Sequence, residues 1–197
     1  MKILLLIILL LPLLSHTSTT ADTQTSNNYA TFPIKERHIK IHFFWHNKFG
    51  EPNPTAVSVA RNPIANASST GFGLVIVFDD PITIGPKESS HLLGRSQGTY
   101  ILSDQNKIAS LMAMTFVFAQ GEFRGCTLSV LGRNELSLKV RELPIVGGTG
   151  LLRSARGYCL LRNFNEDKAS HYVVVEYNCD VFYKPHFQST TDYLFTY

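Results

Sequence analysis

The sequence lacks most of the residue patterns that support demanding chemistry. A Gly-x-Ser-x-Gly segment occurs at 94–98, but a β-rich run follows it instead of the helix of a nucleophile elbow, so the usual serine hydrolase arrangement is not expected. The glycine-rich turn at 147–150 lacks the Lys-Ser/Thr ending that phosphate-binding loops need. Cysteine is scarce too: the three residues Cys126, Cys159 and Cys179 match no metal-binding spacing, and their odd number allows at most one internal disulfide. These absences favour binding or steering a molecule over ordinary catalysis, with no metal and no redox centre.

Charge of one sign and long apolar runs are also scarce. The chain carries 18 Lys and Arg against 15 Asp and Glu, a net charge of +3 with both signs interspersed. That balance is too mild for nucleic-acid binding, although affinity for an acidic cell-wall polymer stays open. A membrane-spanning helix needs about 20 apolar residues, and the aliphatic run at 3–14 is shorter. We therefore expect neither a nucleic-acid partner nor a membrane anchor.

The first residues instead have the layout of a secretion signal. A positively charged start precedes the aliphatic run, and small and polar residues follow it up to Asp22. This order is typical of a signal peptide, so residues 1–21 are predicted to be removed and the mature chain to be secreted to the extracellular space. Residues 22–36 are mostly polar and predict a flexible leader. An Asn-Ala-Ser sequon predicts glycosylation at Asn66.

The rest of the chain reads as short β-strands separated by turn signals. Seven or eight runs rich in β-branched, aromatic and aliphatic residues are present, the main ones at 39–45, 71–78, 98–102, 112–120, 126–131, 151–162 and 171–183. The segment 106–114 has some helical character, but its continuation favours a strand. In 72–78 both alternating faces are apolar, whereas a strand with one solvated face alternates apolar with polar. The pattern predicts an antiparallel barrel or sandwich that also packs against another subunit.

The histidines and the adjacent carboxylates predict neither a metal site nor an acid–base pair. His38, His42 and His46 are spaced by four, which on a strand places neighbours about 13 Å apart, too far for one metal ion. Asp79 and Asp80 are adjacent, so on a strand they point to opposite faces and cannot work as a glycosidase pair. We predict a strand-end turn there, with one carboxylate able to face a pocket.

Arginines beside glycine and aromatic residues are the side chains best suited to hold a ligand. Arginine stacks on aromatic rings and pairs with phenolate or carboxylate oxygens. The candidates are Arg95, Arg133, Arg141, Arg153 and Arg156. On a regular strand Arg153 and Arg156 point to opposite faces, so both cannot line one cavity. For each arginine taken alone, a surface ion pair is the alternative.

Several segments resemble the plant dirigent proteins, in order along nearly all of the mature chain. They are IHFFWHN at 41–47, NPTAVSVA at 53–60, FGLVIVFDDPIT at 72–83, LLGRSQGTY at 92–100, FVFAQGEFRGCTLSVLGRN at 116–134, VRELPIVGGTG at 140–150, ARGY at 155–158 and VVVEYN at 173–178. The resemblance implies an all-β fold over 37–183, an eight-stranded antiparallel β-barrel of the allene oxide cyclase-like kind. It also implies a homo-oligomer (trimer or dimer), secretion to the apoplast, glycosylation and no cofactor.

The resemblance implies a stereo-directing auxiliary rather than an enzyme with its own oxidative centre. Dirigent proteins steer phenoxy radicals of monolignols such as coniferyl alcohol towards optically active lignans. A separate oxidase, a laccase or peroxidase, makes the radicals without forming a stable complex. Two alternatives stay open. One is a quinone-methide cyclase or dehydratase of the pterocarpan synthase type, and the other is a relative that binds phenolics without converting them.

Positions that match the family motifs give the candidate substrate-binding residues. They are Arg95 and Tyr100 from GRSQGTY and Arg156 from ARGY, with Arg153 and Asn47 added. The arginines would hold a phenolic oxygen, and Tyr100 would hydrogen-bond to the substrate or shuttle a proton. For Arg95 the alternative is an ion pair with one of the adjacent aspartates.

The chain also departs from the family pattern. Asn47 stands where an aspartate is common, and an amide cannot donate a proton as a carboxylic acid does. Leu151 stands where lignan-directing members tend to carry an aspartate, and Leu152 and Ser154 replace the usual aromatic residue. Residues 184–197 run past the usual end and predict an atypical C-terminal tail. These departures weaken lignan-type coupling and acid-assisted cyclisation alike.

Overall fold

A computed structural model describes residues 35–49, 52–61, 63, 68–167 and 171–185. The predicted signal peptide, most of the leader, the glycosylation position Asn66 and most of the C-terminal tail lie outside the described residues. Within the described ranges, no helix is long and apolar enough to cross a bilayer.

Nine β-strands make up most of the described chain. They are β1 (Arg37–Lys48), β2 (Ala56–Arg61), β3 (Leu74–Thr83), β4 (Leu92–Leu102), β5 (Ala109–Phe118), β6 (Thr127–Glu135), β7 (Arg141–Gly148), β8 (Arg156–Asp167) and β9 (Tyr172–Tyr183). Most are rich in β-branched, aromatic or aliphatic residues, which favour strands. A short 3-10 turn, Gly150–Leu152, precedes β8.

Eight of the strands close into an antiparallel barrel. They follow the order β1-β9-β8-β7-β6-β5-β4-β3, and β1 returns to pair with β3. That closing seam places Phe44 opposite Thr83 and Trp45 opposite Ile82. The ninth strand, β2, continues along the same edge of β3. The predicted all-β, eight-stranded antiparallel barrel is confirmed, with β1 and β2 acting together as one broken strand.

The strand predicted over 151–162 begins later than expected, at Arg156. Gly150 has a φ of +63°, in the left-handed region that favours glycine. A Cβ atom there would lie 2.7 Å from Sγ of Cys126, so any larger residue would collide. The chain therefore turns at Gly150, and the 3-10 turn occupies the start of the predicted strand. The ambiguous segment 106–114 enters β5 at Ala109, so the strand interpretation holds.

Strand alternation sends one set of side chains into the barrel and the other outwards. On β3, Ile76 and Phe78 are buried, while Val77 between them is 44% exposed. Both faces of β3 are therefore apolar, as its sequence indicates. Inside the barrel, the ring of Phe43 packs against Phe116 and Tyr177 at centroid distances of 4.8 and 5.1 Å. Burying rings of this size contributes much of the stability of a small core.

The cysteines follow the expectation of at most one disulfide. Cys159 on β8 and Cys179 on β9 lie directly opposite each other and form a disulfide. Cys126 is a buried free thiol whose sulfur accepts a hydrogen bond from the N–H of Leu151 at 3.3 Å. That bond helps to hold the turn that follows β7.

Candidate functional site

The interior of the barrel contains a cavity of about 660 Å³. The hairpins that join β4 to β5 and β6 to β7 form part of its rim, with Lys107, Ile108 and Leu136 at the edge. Apolar side chains share the lining with polar and charged ones from different strands and hairpins, namely Asn47, Tyr100, Ser110, Asn134, Glu135, Ser137, Arg141, Asn163, Glu166 and Tyr177. A volume in this range, with a few polar groups on an apolar wall, suits a small organic ligand.

Arg141 brings an unmatched positive charge to the cavity wall. It lies on the inward face of β7 and is only 5% exposed. Its Nη2 donates a hydrogen bond to Oδ1 of Asn163 at 2.7 Å, and no carboxylate of the described chain forms an ion pair with it. Burial lowers the pKa of the guanidinium from its ordinary value, because desolvation disfavours the charged form. A buried cation without a counter-charge is a ready site for an electron-rich oxygen.

Three buried polar atoms of wall residues have no hydrogen-bond partner in the described chain. They are Nε1 of Trp45, Oδ1 of Asn134 and Nε of Arg141. Because buried polar groups are nearly always paired in native proteins, these wall residues keep hydrogen-bonding capacity that the described chain does not use. Two of the atoms are donors and one is an acceptor. The set therefore suits a ligand that both accepts and donates hydrogen bonds, as phenols do.

Asp80 lies behind Asn47 as a fully buried carboxyl group. It is 0% exposed, and its Oδ2 accepts a hydrogen bond from Nδ2 of Asn47 at 2.8 Å. Its Oδ1 accepts a second bond from the hydroxyl of Thr55. Burial raises the pKa of Asp80 to about 7, and the bonds from Asn47 and Thr55 offset only part of that rise. Asp80 can therefore hold a proton near neutral pH, while Asn47 makes the contact with the cavity.

Two tyrosines add hydroxyl groups to the wall. Burial raises the pKa of both Tyr100 and Tyr177 from the ordinary value, and the nearby charge of Asp80 contributes to the rise at each. Both phenols therefore stay protonated at any physiological pH. They can orient a ligand by hydrogen bonding but cannot act as phenolate bases.

The residues selected from the sequence divide between the cavity and the outer surface. Tyr100 and Asn47 lie on the cavity wall, which is where the family motifs lead us to expect them. Arg95 instead points outwards from β4, because it is out of phase with Tyr100 along the strand. Its Nε donates to Oδ1 of Asp79 at 2.5 Å, so the ion-pair alternative describes its contacts. The strand-end turn predicted for Asp79 and Asp80 is wrong, because β3 continues through both residues to Thr83. As adjacent strand residues they point to opposite faces, Asp79 outwards and Asp80 inwards.

The other two selected arginines also lie outside the cavity. Arg156 is on the outward face of β8, where Nη2 donates to Oε2 of Glu36 at 2.8 Å and the guanidinium lies 5.1 Å from the ring centroid of Phe182. Arg153 is exposed in the turn before β8. Since that turn replaces the predicted strand start, the alternation argument used for Arg153 does not apply.

The three histidines of β1 share its outer face, and each has its own partner. Nε2 of His38 lies 2.8 Å from Oδ1 of Asp180, and Nε2 of His42 lies 2.9 Å from Oε1 of Glu176. His46 is buried, with Nε2 2.7 Å from Oγ1 of Thr83. Across the described ranges, no group of three or more histidine, cysteine or acidic side chains comes together as a metal site.

Sequence reasoning did not select several of the residues that the barrel brings to the cavity. Arg141 was a general candidate only, yet it alternates in phase with Leu143 and Ile145 and so lies on the apolar face of its strand. An arginine on such a face is a signal that could have singled it out. The sequence gives no comparable signal for Trp45 and Asn134. Whether their polar atoms find hydrogen-bond partners is decided only when the barrel closes.

Comparison with known proteins agrees with this geometry. Residues 38–182 match the family model of the dirigent-like proteins. The chain is 42% identical to Dirigent protein 21 of Arabidopsis thaliana, over 88% of this chain and 96% of that protein. It is 41% identical to pterocarpan synthase 1 of Glycyrrhiza echinata, over 76% of this chain and 80% of that one. A solved pterocarpan synthase dirigent protein superimposes with a TM-score of 0.73 at 39% identity, covering 79% of this chain and 90% of the other. The chain, with its β-barrel and polar-lined cavity, belongs to the dirigent family.

Proposed function

We propose that the protein binds small phenolic molecules in this cavity and directs the stereochemistry of their bond formation. The favoured reaction is coupling of phenoxy radicals from monolignols, with the oxidation done by a separate laccase or peroxidase. The observation that carries the proposal is the buried guanidinium of Arg141, which has no carboxylate partner, together with the buried polar atoms of Trp45 and Asn134 that lack hydrogen bonds. The guanidinium can bind an oxygen atom of a ligand. Among the described residues, no group of side chains that could hold a metal ion lies beside it.

The chemistry follows from where the charge sits. Coupling of two phenoxy radicals forms a carbon–carbon bond and leaves quinone-methide oxygens. When an internal hydroxyl then adds, its proton is lost and the electrons pass to those oxygens as phenolate. Arg141 would stabilise that developing charge in a partly dry cavity, where fixed charges act strongly. The apolar wall would expose one face of the bound ring to its partner, and that choice of face sets the product enantiomer.

A second candidate is ring closure through a quinone methide without an added oxidant. The observation that favours it is Asp80, whose pKa of about 7 lets it hold a proton close to the cavity. The similarity to a pterocarpan synthase points the same way. In this reaction a benzylic hydroxyl leaves as water, and a phenolic hydroxyl of the same molecule adds to the quinone methide. Asn47 stands between Asp80 and the cavity, so Asp80 would act through it.

One experiment separates these functions. The purified protein is incubated with coniferyl alcohol and a one-electron oxidant, and the enantiomeric excess of the lignans is measured by chiral chromatography. We expect a clear excess over the oxidant-alone control. A parallel incubation with a 2′-hydroxyisoflavanol and no oxidant tests ring closure. Racemic lignans together with an unconverted isoflavanol would exclude both radical coupling and ring closure as functions. The cavity would then bind phenolics without converting them.

An extracellular setting is part of the proposal. The apolar run at 3–14 and the sequon at Asn66 favour secretion and glycosylation. The disulfide between Cys159 and Cys179 suits an oxidising compartment such as the apoplast. The oxidase would meet this protein only through the radical that it releases.

A homo-oligomer is proposed from the outer surface of the barrel. Val57, Val77 and Leu131 are 47%, 44% and 46% exposed. In the sheet register they lie in one row across β2 to β6, with Thr99 and Ala113 between them. Exposed aliphatic side chains aligned in one row across a sheet, with only a threonine and an alanine between them, indicate an interface. A second copy of the chain is the occupant proposed here.

The substitution Val77→Glu is expected to turn the oligomer into a monomer, because a carboxylate in the centre of an apolar interface stays unpaired. Size-exclusion chromatography with light scattering measures the mass directly. Leu138→Glu, at a similarly exposed position in the hairpin after β6, serves as the matched control and should leave the mass unchanged. An oligomer that persists in Val77→Glu would place the interface elsewhere.

A further inference from the structure

Basic side chains line the outer face of three neighbouring strands. In the sheet register β9 lies between β1 and β8, and on its outer face it carries Asp180 and Glu176. The two flanking strands carry the basic residues, which are His38, Lys40 and His42 on β1 and Arg156 and Arg162 on β8. We call this surface the basic face.

The two carboxylates of β9 lie beneath the basic side chains. Oδ1 of Asp180 is 2.8 Å from Nε2 of His38 and 3.4 Å from Nζ of Lys40. Glu176 is bound in the same way, by His42 at 2.9 Å and by Nε of Arg162. The carboxylate side chains are only 16% and 11% exposed, whereas the four basic side chains above them are 45% to 77% exposed. The basic face therefore presents its positive groups to solvent and keeps its negative charge underneath.

One end of the basic face is held in place by stacking. The ring of His38 lies flat on the ring of Phe182, with centroids 4.4 Å apart and planes 7° apart. The guanidinium of Arg156 lies 5.1 Å from the centroid of the same ring, and Glu36 accepts a hydrogen bond from its Nη2. Side chains that are already ordered lose less conformational entropy when a partner binds. These contacts therefore prepare the face for binding.

The excess positive charge of the chain is concentrated here. Exposed Lys35, Arg37 and Lys184 lie where β1 begins and β9 ends, next to the basic face. With Lys40, Arg156 and Arg162 they make six positive residues against the three carboxylates Glu36, Glu176 and Asp180, an excess of three. The net charge of the whole sequence is also +3, with histidine counted as neutral, so the rest of the sequence carries no net charge. A local excess of one sign attracts a partner of the opposite sign.

The shape and chemistry of the face favour a chain-like partner that carries hydroxyl groups. Arg156 and Arg162 are six residues apart on one strand, a distance of about 20 Å, which is long for a single small anion. Between the basic residues lie the exposed ring of Tyr158 and the exposed amide of Asn178. A tyrosine ring and an amide suit sugar units, because they offer an apolar surface and hydrogen bonds together.

We infer that the basic face binds an acidic polysaccharide, a polymer of uronate sugars, along the strands β1, β9 and β8. The carboxylates of the polymer pair with the exposed lysine, arginine and histidine side chains. The proposed secretion brings the protein to extracellular polymers and not to nucleic acid. This binding goes beyond the proposed function and does not depend on it, because the basic face lies outside the cavity.

The position of the face leaves the other two surfaces free. The apolar row proposed as the subunit interface crosses β2 to β6, whereas the basic face lies on β1, β9 and β8. His38 and Arg156 lie at the ends of their strands that are remote from the hairpin joining β6 to β7, which borders the cavity. A polymer, a second copy of the chain and a phenolic molecule can therefore bind at the same time. An oligomer would carry several basic faces, which strengthens attachment to one polymer.

Polygalacturonate is the probe for this inference, and its fully methyl-esterified form is the uncharged control polymer. Calorimetric titration of the purified protein measures both affinities at about 50 mM and about 300 mM salt. We expect polygalacturonate to bind and the ester not to bind. Binding should weaken by at least about tenfold at the higher salt concentration, because exposed charges are screened.

A pair of double variants tests the location. Lys40→Gln with Arg156→Gln removes two positive charges from the basic face and should weaken binding about tenfold. Lys139→Gln with Arg95→Gln removes the same residue types from the hairpin after β6 and from the outer face of β4, and should leave binding unchanged. Asp180→Asn should bind about threefold more tightly, because a negative charge is lost while the amide oxygen still accepts from His38. Damage to the fold would not produce that gain.

The possible results separate this inference from its alternatives and from the proposed function. Absence of polygalacturonate binding at the lower salt concentration would overturn it, and so would equal weakening in both double variants. Tighter binding to duplex DNA, or to mixed phosphatidylcholine and phosphatidylserine vesicles, would overturn the choice of polysaccharide as partner. Lys40→Gln with Arg156→Gln should keep the stereo-direction measured in the coupling assay, so failure of polymer binding and failure of the proposed function are seen separately.

Discussion

The substitution Arg141→Met is expected to weaken binding of coniferyl alcohol by about 100-fold and to remove stereo-direction, while making the fold more stable by roughly 1–3 kcal/mol. Both effects have the same cause. The guanidinium is buried with the Asn163 amide oxygen as a partner but without a carboxylate, so its charge costs stability in the empty protein and is balanced only when an electron-rich ligand oxygen binds. Methionine has a similar length and no charge, so it keeps the wall packed. Fluorescence titration measures the first effect and urea unfolding the second.

The matched control for this prediction is Arg153→Met. It removes the same charge from an exposed turn outside the cavity, so binding and stability should both stay close to those of the unchanged protein. If Arg141→Met lowers stability and leaves binding unchanged, Arg141 supports the wall structurally and does not hold the ligand.

The free energy of unfolding is expected to fall by up to about 4 kcal/mol as the pH rises from about 4 to about 7, because of Asp80. Burial raises the pKa of Asp80 to about 7 in the folded chain, well above its value in an unfolded one. Between those two values the folded chain binds the extra proton. The contribution to stability is therefore complete below about pH 4 and is lost as the pH rises through about 7. Urea unfolding at a series of pH values measures the slope.

The substitution Asp80→Asn should flatten this dependence, because the amide fills the same space and does not titrate. Asp79→Asn is the control, since Asp79 lies on the outer face beside Arg95. Other carboxylates act in a different range. Hydrogen bonds from Arg133 to Asp104 and from Lys107 to Glu135 help to lower the pKa of each acid to about 2, so their contributions are lost only at lower pH. An unchanged slope in Asp80→Asn would mean that Asp80 is not the titrating group.

Much of the fold could be read from the sequence, because the information is local. Two apolar faces in 72–78 predicted that β3 has a buried side and an outward apolar side, and Val77 shows the second. Adjacent aspartates predicted one carboxyl group on each face, and the barrel places Asp80 inside. The glycine-rich turn at 147–150 is visible in the sequence, but nothing in it indicates that the chain turns at Gly150 and delays β8 to Arg156.

The site was harder to predict because it depends on pairing between distant strands. Alternation along β4 places Arg95 and Tyr100 on opposite faces, but which face is the inner one cannot be assigned until β4 is paired with its neighbours. Arg141 meets Asn163 only because β7 pairs with β8. Lack of a partner, which makes Trp45, Asn134 and Arg141 candidates, is a property of the closed barrel and not of any one segment.

The hydrogen-bonded cluster of Asn47, Asp80 and Thr55 also lies at the seam between β1 and β3, where the barrel closes. Main-chain pairing between β1 and β3 covers Phe44 with Thr83 and Trp45 with Ile82, whereas β1 pairs with β9 along its whole length. Beyond Trp45, the side chains of Asn47 and Thr55 donate hydrogen bonds to Asp80 of β3. Strand pairing with β3 then resumes in β2 at Ala56. The hydrogen-bonded group that contains the cavity residue Asn47 therefore also helps to close the barrel. Evolution of a new specificity at this wall is then constrained by the need to keep a strand edge sealed.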